Sequence, residues 1–295
     1  MMNQARLVLG TAQLGYPYGI ANKVGQPSIT AATDIVRECW ERGIRVFDTA
    51  QGYGDSERIL GQILNNLGIS QDAIIISKIY PNIDHCEFTS MSNALDQSLR
   101  IFGVGSLYGM MLHRENMLSL WHKGLADVLN RFVSSGKVQN IGISVYSPEM
   151  AVEALQTEGI GMVQIPTNIL DRRFENAGVF DLAGRENKEI YIRSVFLQGL
   201  LLMNACDIPE KMASAKLEIE KLELLSKEYG LTKQEITLGY VKSIGNAHVL
   251  FGAETRQQVK ENVSAWEKEM PDSLISNIKN VFTHVGEDVL NPSLW

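Results

Sequence analysis

The 295-residue chain is poor in cysteine: only Cys39, Cys86 and Cys206, scattered and without CxxC spacing. That argues against a disulfide framework or a thiolate metal site, and for reduced thiols in the cytoplasm. No His, Cys and carboxylate cluster has metal-ligand spacing, so no metal is expected. Long apolar runs are missing too. No stretch reaches the roughly eighteen residues of a membrane span, and residues 1–6 lack the apolar region of a signal peptide. Positive charge is scarce, with 27 Lys and Arg against 34 Asp and Glu for a net charge of -7, which argues against a nucleic-acid partner. No low-complexity linker or charge block divides the chain, so residues 1–295 are expected to form one domain. A Gly-x-Gly-x-x-Gly loop behind the first strand is also absent. The nearest approach, Gly103-Val104-Gly105, has Tyr108 at the third glycine position and precedes a strand, so it reads as a turn.

What the chain does have is alternation. Short aliphatic or β-branched runs at 6–10, 44–48, 73–78, 107–113, 138–144, 161–165, 190–196 and 247–251 are separated by helical patterns at 30–42, 56–67, 90–102, 117–134, 148–155, 174–187, 232–243 and 255–266. Several of the short runs lack polar alternation, as strands of a helix-covered parallel sheet do. Gly43 and Gly136 stand where left-handed helix caps belong, and Ser147-Pro148 is a helix start. Eight βα units in strict alternation predict an α/β fold, a closed (β/α)8 TIM barrel, with extra helices at 200–230 and a C-terminal tail at 270–295. Those two additions read equally as active-site loops or as outer-wall packing.

In such a barrel the C-terminal strand ends share one mouth. Asp48, Lys78 and His113 fall at the ends of the second, third and fourth runs, and Tyr53 lies in the loop after the second. Each alone has a bland explanation as a cap, a solvated charge, a loop histidine or a packing aromatic. In a barrel, residues about thirty apart in sequence can meet at that mouth.

The stretch from Gly43 to Gly61, Gly-Ile-Arg-Val-Phe-Asp-Thr-Ala-Gln-Gly-Tyr-Gly-Asp-Ser-Glu-Arg-Ile-Leu-Gly, closely resembles the signature of the aldo-keto reductases. Ser77-Lys78, Leu107-Tyr108 with Leu112-His113, Gly136-Lys137-Val138 with Ile141-Gly142-Ile143-Ser144, Gln164, Gln198-Gly199-Leu200-Leu201 and Glu261-Asn262 follow in family order. The resemblance implies a catalytic tetrad of Asp48, Tyr53, Lys78 and His113. Tyr53 would be the general acid and base, with its pKa depressed by Lys78 while Asp48 holds the lysine; His113 would orient the carbonyl. It also implies NADP(H), with NAD(H) as the alternative, lying across the mouth. Gly10, Thr11 and Ala12 would pass near the nicotinamide ribose, and Ser144 and Gln164 would hold the carboxamide. Asp48, Arg193, Ser194, Leu197 and Gly199 would lie beneath the nicotinamide and pyrophosphate. Gly252, Ala253, Arg256, Gln258, Glu261 and Asn262 would take the adenosine and its phosphate.

Three departures stand out: Val145 where Asn is common, Arg193 for a stacking aromatic, and Gln258 for an Arg that grips the 2′-phosphate, a task left to Arg256 against the opposing Glu254. The implied partner is a small carbonyl or alcohol, with a short polar loop after His113 pointing to a sugar-like one. The competing reading is an NADP(H)-binding sensor or accessory subunit. Oligomeric state is not legible.

Overall fold

A computed structural model describes residues 6–295; residues 1–5, where no apolar leader is expected, lie outside the described residues. Eight parallel strands close into a barrel in sequence order: β1 (Leu7–Gly10), β2 (Val46–Asp48), β3 (Ile74–Lys78), β4 (Leu107–Leu112), β5 (Val138–Ser144), β6 (Met162–Pro166), β7 (Glu189–Arg193) and β8 (Ala247–Phe251). β8 returns to β1 with Val8 opposite Leu250, so no sheet edge is left open. Closure removes the unpaired backbone that an open sheet exposes.

Side chains fill the interior. Val8, Val46, Ile76, Met111, Met162, Tyr191 and Leu250 form a buried cluster inside the ring. Gly109 and Gly142 make room for it: a Cβ on Gly142 would sit 2.9 Å from Met111 Cγ and 2.8 Å from the Met162 carbonyl. At the N-terminal end, Tyr108 and Tyr191 donate to the two oxygens of Glu189 at 2.5 and 2.8 Å, and His248 packs on Tyr191. That polar plug closes the floor. A separate, larger apolar cluster lies between the strands and the outer helices.

The helices start and stop for local reasons. Ser28 caps Ile29–Glu41 through the Ala31 N–H, and Gly43 follows in the left-handed region. Ser147 caps Pro148–Gln156, whose proline occupies the first turn. Thr232 with Glu235, and Thr255 with Gln258, form reciprocal capping boxes on Lys233–Ser243 and Arg256–Glu267.

Three expectations are corrected. The helix predicted at 117–134 breaks at left-handed Gly124 into a 3-10 segment, Glu115–Lys123, and Leu125–Ser134. The one predicted at 174–187 breaks at left-handed Gly178 into Arg173–Asn176 and Val179–Arg185. β7 stops at Arg193 rather than 196, because Ser194, with φ of 59°, turns the chain out of the sheet. The added helix Lys216–Tyr229 packs on Lys233–Ser243 and on Asp272–Val281 in the tail. Among the described residues, no helix is long and apolar enough to cross a membrane.

Candidate active site

The chemistry gathers at the C-terminal ends of the strands. Asp48 and Lys78 close two neighbouring strands, with Ile76 of β3 opposite Asp48. The Lys78 ammonium donates to Asp48 Oδ1 at 2.5 Å and to the Thr49 carbonyl at 2.9 Å, with both side chains buried. From across the barrel, Gln164 Nε2 donates to the other Asp48 oxygen at 2.8 Å. A buried charge must be paired and hydrogen-bonded to be tolerated, and this one is met on both oxygens.

The loop after β2 is braced by the same block that carried the sequence resemblance. Ser56 donates to the Thr11 carbonyl at 2.7 Å, and Thr11 donates to the Asp48 carbonyl at 2.9 Å. Buried Glu57 accepts from Ser77 at 2.5 Å and from Ser98 at 3.0 Å. Gln51 ties the loop to Ala94, Ser98 and Tyr80. Gln51, Ser56 and Glu57 of the signature therefore hold the loop in place, and Tyr53 is what the loop presents.

The Tyr53 ring lies 5.0 Å from Lys78 Nζ and packs edge-on against His113, with ring centres 5.5 Å apart. Gly52 permits that seat, since a Cβ there would press on the His113 ring at 3.3 Å. Tetrad residues from three units thus stand together.

Their protonation differs from the sequence expectation in one respect. The Tyr53 phenol is raised well above its ordinary value, first by burial and then by the Asp48 charge, with Arg193 pulling the other way. The expected depression by Lys78 is not found; burial and the Asp48 charge dominate. The resting tyrosine is a firmly protonated acid. Lys78 itself is lowered by burial, which its bond to Asp48 opposes. Burial, reinforced by Lys78, Arg114 and Arg193, pushes His113 down to about 4, so its ring is neutral near pH 7. His113 Nδ1 is buried without a hydrogen-bond partner.

From this group an elongated cavity of about 330 Å³ runs between β1, β7 and β8 to the start of Arg256–Glu267. Gly10, Thr11, Ala12, Asp48, Gln164, Arg193, Ser194, Gly199, Gly252, Gln258, Glu261 and Asn262 line it, as does Tyr53. Of the remaining expected contacts, Ser144 is buried beside Gln164 in the sheet register, and Leu197 and Ala253 are buried; none of the three lines the cavity. Arg256 is elsewhere altogether. It faces the helix Ile29–Glu41, donating to Glu38 at 2.6 Å and to Glu41 at 3.4 Å.

The sequence reading missed the segment after β1. Gln13, Tyr18, Gly19, Ala21 and Asn22 line the cavity, and the Ile20 N–H reaches the Gln198 carbonyl at 3.0 Å across it. Asn22 folds this strap by bonding the N–H groups of Val24 and Gly25. Asn22 and Gly25 were the signal that was there to be read, as a turn-forming pair in a stretch without periodicity.

The cavity fits an extended dinucleotide. Two polar atoms at its barrel end, Gln164 Oε1 and Arg193 Nε, are buried without protein partners. Gln164 Oε1 suits the amide hydrogens of a carboxamide. Gly10, Gly199 and Gly252 line the wall as well, and the missing Cβ atoms of the last two leave room for Ala21 and for the Gln13 side chain.

Residues 6–282 match the aldo/keto reductase family. The chain is 26% identical over 268 residues to L-glyceraldehyde 3-phosphate reductase of Escherichia coli, covering 78% of this chain and 77% of that protein. It is 22% identical to Protein REDOX 2 of Catharanthus roseus, covering 93% and 88%. Among solved structures, aldo-keto reductase AKR11C1 from Bacillus halodurans in its holo form superposes with a TM-score of 0.78 at 22% identity, covering 97% of this chain and 95% of that one. Glycerol dehydrogenase AKR11B4 from Gluconobacter oxydans gives 0.77 at 20% identity, covering 98% and 94%. At such identities the structures establish the fold alone. The family match and the oxidoreductases among the relatives make the chain a nicotinamide-dependent oxidoreductase. The chain belongs to the aldo/keto reductase family.

Proposed function

We propose that this protein reduces a small aldehyde or ketone, or oxidises the corresponding alcohol, with Tyr53 as the proton donor and acceptor. A bound nicotinamide coenzyme would supply or accept the hydride. Its carboxamide would be held by Gln164, and its length would run along the wall from Gly10 past Gly199 and Gly252. Single-domain organisation over residues 1–295 goes with this reading, and three free cysteines, two of them exposed, fit the reducing cytoplasm.

The observation that carries it is the buried Asp48–Lys78 pair beneath the Tyr53 ring. Hydride arriving at a carbonyl carbon leaves negative charge on oxygen, and that charge needs a proton or a strong donor at once. Tyr53, protonated across the neutral range, hands over its proton. The phenolate left behind sits within reach of the Lys78 ammonium, which offsets the new charge. Neutral His113, packed edge-on against Tyr53, would bind and orient the substrate oxygen. NADP(H) and NAD(H) share everything this chemistry touches.

A sensor would need the coenzyme wall but not this proton relay, so the intact relay favours turnover. The mouth is rimmed by Tyr16, Tyr18, Tyr53 and Tyr146, an aromatic and hydroxyl-bearing surface that suits a polyhydroxylated or sugar-like substrate. Loss of reduced-nicotinamide absorbance, followed over a panel of aldehydes, ketones and sugars with each coenzyme, tests the reading. Coenzyme binding without turnover of any member would favour the sensor instead.

A further inference from the structure

The far end of the cavity bears on which coenzyme enters, an inference that rests on the oxidoreductase reading above. If the nicotinamide sits by Tyr53 and Gln164, the adenosine reaches the opposite end, lined by Gln234, Glu254, Gln258, Glu261 and Asn262. That end holds two carboxylates and three amides. Arg193, at the barrel end, is the only cation among the described residues lining the cavity.

The two features that would welcome a 2′-phosphate are both engaged elsewhere. Arg256 is turned away to Glu38 and Glu41. Glu38 has a side chain only 4% exposed and shares its charge between Arg256 and Arg42, so drawing Arg256 into the cleft would strip a buried carboxylate of one partner. Three of the backbone donors at this helix start, on Glu254, Thr255 and Gln258, are engaged as well. Gln258 Oε1 accepts from the N–H groups of Glu254 and Thr255 at 2.6 and 3.3 Å, and Thr255 Oγ1 accepts from the Gln258 N–H at 3.2 Å. The same Gln258 donates through Nε2 to Glu254 Oε2 at 3.0 Å, which fixes the carboxylate at the cleft wall. The glutamine thus occupies two of the backbone donors and holds an anion beside them.

We propose that the protein selects NAD(H) over NADP(H), with Glu254, held by Gln258, accepting hydrogen bonds from the adenosine ribose hydroxyls and repelling a 2′-phosphate. A carboxylate is the group that reads a ribose diol, as an arginine reads its phosphate ester. Like charges at contact distance are worth roughly fivefold in affinity even under water-like screening, and more in a half-buried cleft. The discrimination should therefore be about tenfold or greater.

The test is equilibrium titration of the full chain, followed by protein fluorescence, with NADH and NADPH. A second pair, ADP-ribose and its 2′-phosphorylated counterpart, lacks the nicotinamide and reports on this end alone. In both pairs the unphosphorylated ligand is expected to bind at least about tenfold more tightly. Glu254→Gln should bring the ratio toward unity by strengthening the phosphorylated ligand, Glu254→Arg should reverse it, and Arg256→Ala should leave it in place. Thermal unfolding of each variant shows whether it is folded, and either Glu254 variant suffices. Equal or tighter binding of NADPH by the wild type overturns the proposal, as does a ratio that the Glu254 variants do not move. If none of the four ligands binds, the nicotinamide reading falls and this inference with it. Binding without discrimination sinks only the selectivity.

Discussion

The Lys78 ammonium stands 5.0 Å from the centre of the Tyr53 ring while its proton-bearing nitrogen is bonded to Asp48. The ammonium beside the ring is thus already paired with a buried carboxylate. Burial and the Asp48 charge keep the phenol protonated, so Tyr53 holds its proton when hydride transfer puts charge on the substrate oxygen.

Tyr53→Phe therefore removes the proton and little else. Coenzyme affinity should change less than about threefold, while kcat for carbonyl reduction falls by roughly 10²- to 10⁴-fold, the usual worth of a general acid. Rapid-mixing kinetics on a good aldehyde substrate measures both. A variant turning over at near wild-type rate would strip Tyr53 of its role.

The Asp48–Lys78 pair has a cost that appears when one partner is removed. Lys78→Met leaves Asp48 buried with only Gln164 to satisfy it, and such half-pairs cost about 3–5 kcal/mol of folding stability. The double variant Asp48→Asn with Lys78→Met should recover most of that loss without recovering turnover. Denaturant unfolding of the three proteins tests this. A Lys78→Met loss below about 1 kcal/mol would put the pair in a far more solvated setting than its burial implies.

The strands were readable because most are largely apolar on both faces, and several end in a polar residue where the barrel opens, as Asp48, Lys78 and Ser144 do. What escaped reading depends on contacts distant in sequence. Arg256 sits at a helix start that looks made for phosphate, yet its partner Glu38 is 218 positions away. The strap through Gly19 and Asn22 has no periodicity and is fixed by its bond to Gln198. The two helices that break do so at Gly124 and Gly178, where an amphipathic pattern continues through a residue free to turn left-handed. Glu189 is bound on the barrel floor by Tyr191 and by Tyr108, the latter 81 positions away, a pairing that no local pattern marks.

His113 gives a pH signature. Its folded pKa of about 4 lies below the ordinary 6.5, so between those values the unfolded chain takes up a proton that the folded chain refuses. Stability should accordingly fall as the pH drops from about 6.5 toward 4 and then level off in this respect. His85 and His248 are also lowered by burial and add to the slope, so the wild type must be compared with His113→Gln. The variant should lose less stability over the same window. Parallel curves would mean that His113 titrates normally in the folded protein.

Arg193 is the remaining charge at the mouth. Its guanidinium lies 4.1 Å from the Tyr146 ring centre and donates to Ser194 Oγ at 3.2 Å, with no carboxylate partner among the described ion pairs. Against burial and the Asp48 charge, it pulls the Tyr53 phenol downward. Removing that positive charge raises the phenol further, so the phenolate needed to accept a proton from an alcohol forms only at higher pH. Arg193→Met should therefore shift the onset of alcohol oxidation to higher pH, while Arg193→Lys, which keeps the charge, should shift it much less. Initial rates of oxidation across the alkaline range, at saturating coenzyme so that altered binding does not intrude, measure the shift. If the Met variant keeps the wild-type profile, the guanidinium acts on binding alone and the tyrosine is tuned without it.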